Sequence, residues 1–365
     1  MMILIYVILF VLVLRMLIAF SNLFFRPKLP PVNRLKSYPL VSILVRADNE
    51  VLRVNHLLNQ LKGLEYPNLE VIVGTYKSSD ETVKTICHYL ERDDRFGRCE
   101  IPEMKKGWSA YNRINYLMGR KARGNYLLFI DGDIELRKGV LETLISYIIK
   151  KKLGLLAVLP VLEVHTKAER WMFSLLNRLY FSLLPLWCMS RFKTPHLASI
   201  AKKFLLFDGD IYRQFEPFEE NRSSELGSWD FAKYLRKENV KLELLLGDKR
   251  ISLEGCVSWK RCLVELSRHL LSFFLKSYFL AFLYGVFMLF WFVPFFIMGR
   301  IGLLFVAIIL WLVTSVVVSM ISGRPVKEYV LYAYPDALAF MVVLWVSLVH
   351  AYKKKKCRRR KTCID

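Results

Sequence analysis

The chain has 365 residues, 54% of them hydrophobic, and a formal net charge of +22. Its seven cysteines are scattered and contain no CxxC pair, which suggests neither a disulfide framework nor a zinc site and fits a reduced, cytoplasmic location. No nucleic-acid-binding motif accompanies the basic excess, so nucleic acid is not expected as a partner.

Residues 1–25 are apolar apart from Arg15 and the Ser21-Asn22 pair. The stretch is too long for a signal-peptide core and lacks a small-residue cleavage site, so it is expected to be a transmembrane anchor. Arg15 lies off-centre, where it can snorkel or pair.

Residues 26–270 are charged and mixed in periodicity, and form the part able to make a soluble core. Residues 39–45 predict a buried strand, followed by the polar turn Arg46-Ala47-Asp48-Asn49-Glu50. Leu57, Leu58 and Leu61 then mark a helix. Residues 69–73 predict a second strand, after which Asp80 is placed to cap a helix running through Ile86 and Leu90. Strand and helix keep alternating, which predicts an α/β fold with a parallel sheet of nucleotide-binding character.

The next strand, Tyr126-Leu127-Leu128-Phe129-Ile130, runs into Asp131-Gly132-Asp133. Open α/β sheets bind ligands at the carboxyl ends of their strands, where these two acids fall. A hard divalent cation such as Mg or Mn suits two such carboxylates, with diphosphate oxygens completing its shell. An Asp-Gly hairpin turn competes with this reading. A calcium loop using Asp131, Asp133, Glu135 and Glu142 does not, because Leu136 stands where that loop needs glycine.

Residues 171–191 are apolar and aromatic, suiting equally a helix in the membrane interface that presents a lipid and a buried core helix. Two further apolar blocks, 277–299 and 301–322, are long enough to cross a bilayer, and a shorter one covers 334–352. The expected organisation is an anchor at 1–25, a soluble domain at 26–270, a membrane bundle of two to three spans at 271–352 and a basic tail at 353–365. The tail run Lys353–Lys361 suits anionic headgroups. One span before the domain and three after it would put the tail opposite the domain, whereas the positive-inside rule wants both in the cytoplasm. The loop with Arg324 and Lys327 agrees with a cytoplasmic domain.

Several motifs together resemble a family 2 glycosyltransferase. Residues 39–50 resemble its P-x-V-S-I-L-I-P-A-R-N-E, and Lys106-Gly107-Trp108-Ser109-Ala110-Tyr111-Asn112 its K-x-x-A-x-N helix. Asp131 and Asp133 match its D-x-D, and Trp229-Asp230-Phe231-Ala232 resembles its E-D-x-x-L-A. The membrane segments and Arg250-Ile251-Ser252-Leu253-Glu254-Gly255, similar to R-M-Y-x-x-G, narrow the likeness to the branch that glycosylates lipids such as carotenoid acids.

The resemblance implies a GT-A fold and an inverting hexosyl transfer from a nucleotide-diphosphate sugar to a lipid acceptor at a membrane. It implies Asp230 as catalytic base, Asp131 and Asp133 as metal ligands, and donor contacts from Arg46, Glu50, Asp80, Lys106 and Asp131. Glu225 is the substitute candidate for the base.

The chain also departs from the pattern. Arg46 replaces a proline and Asp48 an arginine, Thr75-Tyr76 stand where paired aspartates end strand two, and Trp229 replaces an acid. No Q-x-x-R-W is present, which argues against a processive polysaccharide synthase. The altered strand-two ending motivates the alternative of a catalytically silent membrane scaffold or partner protein.

Overall fold

The computed structural model describes residues 1–32, 35–47, 51–75, 80–100, 105–164, 166–188, 203–223, 228–255, 259–274 and 277–361. The chain divides into two compact units. One comprises Pro27–Glu163 and Cys188–Glu254, and the other Met1–Arg26, Val164–Trp187 and Gly255–Asp365.

The first unit is built on a seven-stranded sheet in the order β3-β2-β1-β4-β8-β6-β9. These strands are β1 (Val41–Ala47), β2 (Leu69–Thr75), β3 (Phe96–Glu100), β4 (Tyr126–Asp131), β6 (Leu155–Leu159), β8 (Phe204–Asp208) and β9 (Leu242–Leu246). All pairings are parallel except those of β8, which runs antiparallel to β4 and β6. In β1 and β4 nearly every residue is buried. Continuous apolar runs of this kind occur where helices cover both faces of a sheet. The helix Val51–Lys62 supplies Val54, Leu57, Leu58 and Leu61 to the core at helical spacing.

Strand order places the site. From β1 the chain winds outward through β2 and β3, then returns to lay β4 on the other side of β1. The carboxyl ends of β1 and β4 therefore flank a topological switch point, where adjoining connections leave in opposite directions and open a crevice.

The Asp-Gly segment is not a hairpin. After Asp131 the chain turns into β5 (Ile134–Leu136), which leaves the large sheet. In a second sheet, β5 pairs antiparallel with β10 (Ile251–Leu253), and β10 pairs parallel with β7 (Val161–Leu162).

The other unit is helical. Met2–Phe24, Ile301–Ser322 and Pro335–Lys353 are long and apolar enough to cross a membrane. The block at 277–299 differs from the expectation of a single span. It breaks into Tyr278–Phe290 and Val293–Ile297, with Pro294 in the first turn of the second piece. Proline has no N–H and clashes with the preceding turn, so a helix stops just before it. The 13 residues of the first piece reach roughly 20 Å, short of a hydrocarbon core of about 30 Å. The last block, in contrast, lies within one long helix, Pro335–Lys361.

The helix Lys167–Leu183 belongs to this unit as a core helix. Thr166 and Glu169 close its start with a reciprocal capping box. Its end is held by Asn22, whose Nδ2 donates to the carbonyls of Phe181 at 3.0 Å and Leu184 at 2.7 Å. Arg15 is buried and donates from Nη2 to Ser182 Oγ at 3.0 Å. Its Nη1 lies 3.1 Å from Met288 Sδ. It is therefore packed inside the unit and does not snorkel to an interface.

Candidate functional site

The carboxyl ends of β1 and β4 bring the first two charged groups together. Register pairs Arg46 with Asp131. The guanidinium closes on both carboxylate oxygens, from Nε at 3.0 Å and from Nη2 at 2.9 Å. Bidentate pairs of this kind are among the stronger hydrogen-bonded contacts in proteins. The other face of the guanidinium lies 5.0 Å from the centre of the Tyr111 ring. Burial, and then the charge of Asp131, push the Tyr111 phenol above its ordinary range, so it stays neutral at physiological pH.

Asp133 meets a second cation. Lys203 stands one residue before β8, on the opposite side of β4 from β1, and its Nζ lies 2.7 Å from Asp133 Oδ2. All four side chains are mostly shielded, with exposures between 11% and 25%.

The intervening backbone is fixed on both sides. Gly132 N–H donates to the Arg46 carbonyl at 3.0 Å, and the Asp133 carbonyl accepts from Glu254 N–H at 2.9 Å. Glu254 is held in turn by Arg53 at 2.9 Å. A side chain at Gly132 would press on Val54 and on the Arg46 carbonyl.

The helix Ala110–Lys121 forms a wall beside this cluster. Gly107 just ahead of it has φ +86°, a conformation that glycine adopts freely. Ser109 then caps the helix by accepting from Asn112 N–H at 3.2 Å. Asn112 Nδ2 donates to the Asn221 carbonyl at 2.5 Å, and Ser109 N–H donates to the Arg222 carbonyl at 2.7 Å. These bonds tie the helix to the segment leading toward the helix Ser228–Lys237, which carries Asp230 in its first turn. Phe231 anchors that helix by packing on Phe218 and Phe207, with ring centres 5.2 and 5.8 Å away.

The remaining expected residues are less fully placed. Lys106 is exposed in the turn before the helix at 110. Asp80 is the first residue of the helix Asp80–Leu90. The side chains of Asp80 and Asp230 lie outside the described ones, as do residues Glu50 and Glu225 entirely. Thr75 ends β2 and is buried.

Two members of the cluster carried no sequence signal for this position. Lys203 lies in no motif and is 70 residues from its partner Asp133. Tyr111 occupies a variable position of the K-x-x-A-x-N segment.

The donor set fits a divalent ion of the magnesium or manganese type, which takes one or two carboxylates and completes its shell with water and phosphate. Among the described residues no group of three or more His, Cys, Asp or Glu side chains is placed to hold a metal. A cation here would therefore depend on Asp131, Asp133 and its substrate.

Comparison with known proteins bears on the fold around this cluster. Residues 42–201 match the family described as glycosyl transferase family 2. A curated relative is the GalNAc(5)-diNAcBac-PP-undecaprenol beta-1,3-glucosyltransferase of Campylobacter jejuni, 29% identical over 108 residues. That alignment covers 30% of this chain and 34% of the relative. Among solved structures, the mannosyltransferase PcManGT of Pyrobaculum calidifontis, in complex with GDP-Man and Mn2+, superposes with a TM-score of 0.52. The match is 14% identical and covers 95% of this chain and 96% of that one. The sheet unit thus has the GT-A fold, and residues 42–201 within it are similar to the family 2 glycosyltransferases.

Proposed function

We propose that the protein is an inverting glycosyltransferase that moves a sugar from a nucleoside-diphosphate donor to a lipid acceptor at the cytoplasmic face of a membrane. The observation that carries this reading is the Arg46–Asp131 and Lys203–Asp133 cluster at the β1/β4 switch point. Among the described residues three helices are able to cross a membrane, and with the lipid-linked saccharide in the Campylobacter relative's name they favour a lipid acceptor and a multi-pass protein.

A divalent cation held by Asp131 and Asp133 would supply positive charge to the leaving diphosphate. The chain's own groups account for the rest. Arg46 and Lys203 add charge beside the diphosphate from the two strands flanking β4, and Lys106 from the turn before the helix at 110. Asp80 and Glu50 serve as donor contacts. The acceptor oxygen attacks the anomeric carbon from the face opposite the diphosphate. The new C–O bond forms as the bond to the diphosphate breaks, and the electron pair leaves with the phosphate. Asp230 takes the acceptor's proton. A carboxylate or phosphate acceptor has no proton to lose and would not need that base.

The buried Thr75 favours a second reading, a silent scaffold, because it offers no carboxylate to the donor's base. Binding separates the two. An enzyme should bind a nucleotide sugar in a Mg- or Mn-dependent manner, and Asp131→Asn or Asp133→Asn should remove most of that affinity. Failure of every common nucleotide sugar to bind the purified wild type would favour the scaffold.

A further inference from the structure

We propose that Arg46 and Lys203 keep the Asp131–Asp133 pair closed to a bare divalent cation and pass to the donor's diphosphate when metal and donor arrive together. The proposal rests on the reading of this cluster as a donor-diphosphate site.

Strand order at this edge is β1-β4-β8, so the acids at and just beyond the end of β4 lie between a cation on β1 and one just ahead of β8. Arg46 reaches Asp131 from β1, and Lys203 reaches Asp133 from the start of β8. Both oxygens of Asp131 and Oδ2 of Asp133 already accept a charged donor. A metal binding through any of these three of the pair's four oxygens would have to displace a cation.

Two carboxylates facing a guanidinium and an ammonium sum to zero, so a divalent cation arriving alone meets no net attraction. It would also have to displace two positive groups from shielded positions. A diphosphate changes the balance by bringing negative charge of its own. Arg46 and Lys203 can then turn to its oxygens and release the carboxylates to the metal. Arginine suits such a transfer, because its planar fork matches carboxylate and phosphate alike. Tyr111, neutral and stacked on the guanidinium, holds the arginine near this edge without competing for its charge.

The backbone that carries the acids is held on both sides. The Asp131–Asp133 backbone is pinned by Gly132 N–H on the Arg46 carbonyl and by Glu254 N–H on the Asp133 carbonyl. The acids therefore stay in place, while the long cationic side chains can swing. Such an arrangement spares the site from loading with metal in the absence of a donor.

Equilibrium dialysis of the full-length protein in detergent, with Mn2+ alone or with Mn2+ and pyrophosphate, tests this directly. Wild type should bind Mn2+ alone weakly and gain about tenfold or more with pyrophosphate. Arg46→Gln and Lys203→Gln should each bind Mn2+ alone about tenfold more tightly and lose most of the pyrophosphate gain. Arg46→Lys keeps the charge and should keep bare Mn2+ out, which separates exchange from misfolding. Variants that bind bare Mn2+ no better than wild type, with unchanged thermal midpoints, would overturn the exchange while leaving the site reading intact. If Asp131→Asn combined with Asp133→Asn leaves Mn2+ binding untouched, the acids are not the ligands, and the site reading falls together with the exchange.

Discussion

Arg178 and Asp336 form an ion pair within the helical unit, with Nε 3.0 Å from Oδ2 and side-chain exposures of 1% and 0%. Ser174 Oγ donates to the same oxygen at 2.9 Å. Arg178 also donates to Ser315 Oγ at 2.7 Å and to the Tyr329 carbonyl at 2.9 Å. A guanidinium fully withdrawn from water is stable only with such partners. The pair thus fastens the helix Lys167–Leu183 to the start of the helix Pro335–Lys361.

Removing one partner strands the other. Asp336→Ala should destabilise the helical unit by roughly 3–5 kcal/mol, seen as a lower thermal midpoint in detergent. Arg178→Leu combined with Asp336→Leu should recover most of that loss, because two apolar side chains leave no buried charge. A double variant as unstable as the single one would show that the pair is not the cause.

Packing between the helix Ala110–Lys121 and the short helix Gly209–Phe215 turns on Gly119. A methyl group there would overlap the Tyr212 ring, which is itself boxed in by Phe129, Phe207 and Phe218. Overpacking costs about 1–3 kcal/mol, against ~1 kcal/mol that alanine gains over glycine in a helix. Gly119→Ala should therefore lower stability despite the better helix former, and adding Tyr212→Leu should relieve it. An unchanged or raised midpoint for Gly119→Ala alone would show that the ring has room to move.

Orientation is open to chemical labelling. Lys241 is exposed one residue before β9. In a background lacking the seven native cysteines, Lys241→Cys should resist a membrane-impermeant maleimide in intact cells and react after lysis. Labelling in intact cells would place the sheet unit outside, away from cytoplasmic nucleotide sugars.

Much of the sheet unit was legible in the sequence because its elements have strong local patterns. Val41–Ala47, Leu69–Thr75 and Tyr126–Asp131 are apolar runs with polar ends, and Leu57, Leu58 and Leu61 show helical spacing. The acid pair could be placed at a strand end for the same reason. The resemblance implied Arg46 as a donor contact but not its pairing with Asp131, and nothing local pointed to Lys203. That Arg46 lies beside Asp131 depends on β4 returning next to β1, and that Lys203 reaches Asp133 depends on β8 inserting antiparallel. The break in the block at 277–299 was signalled by Pro294, but a window of apolar residues outweighed one imino acid. The helix Lys167–Leu183 is tied into the helical unit through Arg178, whose partner Asp336 lies 158 residues away. No local pattern reports such a distance.

The most direct measurement is transfer itself. Membranes containing the wild-type protein are supplied with labelled nucleotide sugars, and the lipid fraction is assayed alongside Asp230→Asn. The wild type should label a lipid. Asp230→Asn should bind donor normally but make product about a hundredfold more slowly or worse, the usual cost of losing a general base. Full product from Asp230→Asn would move the base to Glu225 or to an acceptor that needs none. The absence of labelled lipid from the wild type across all donors, in cells whose phenotype still depends on the protein, would contradict the account and leave the scaffold.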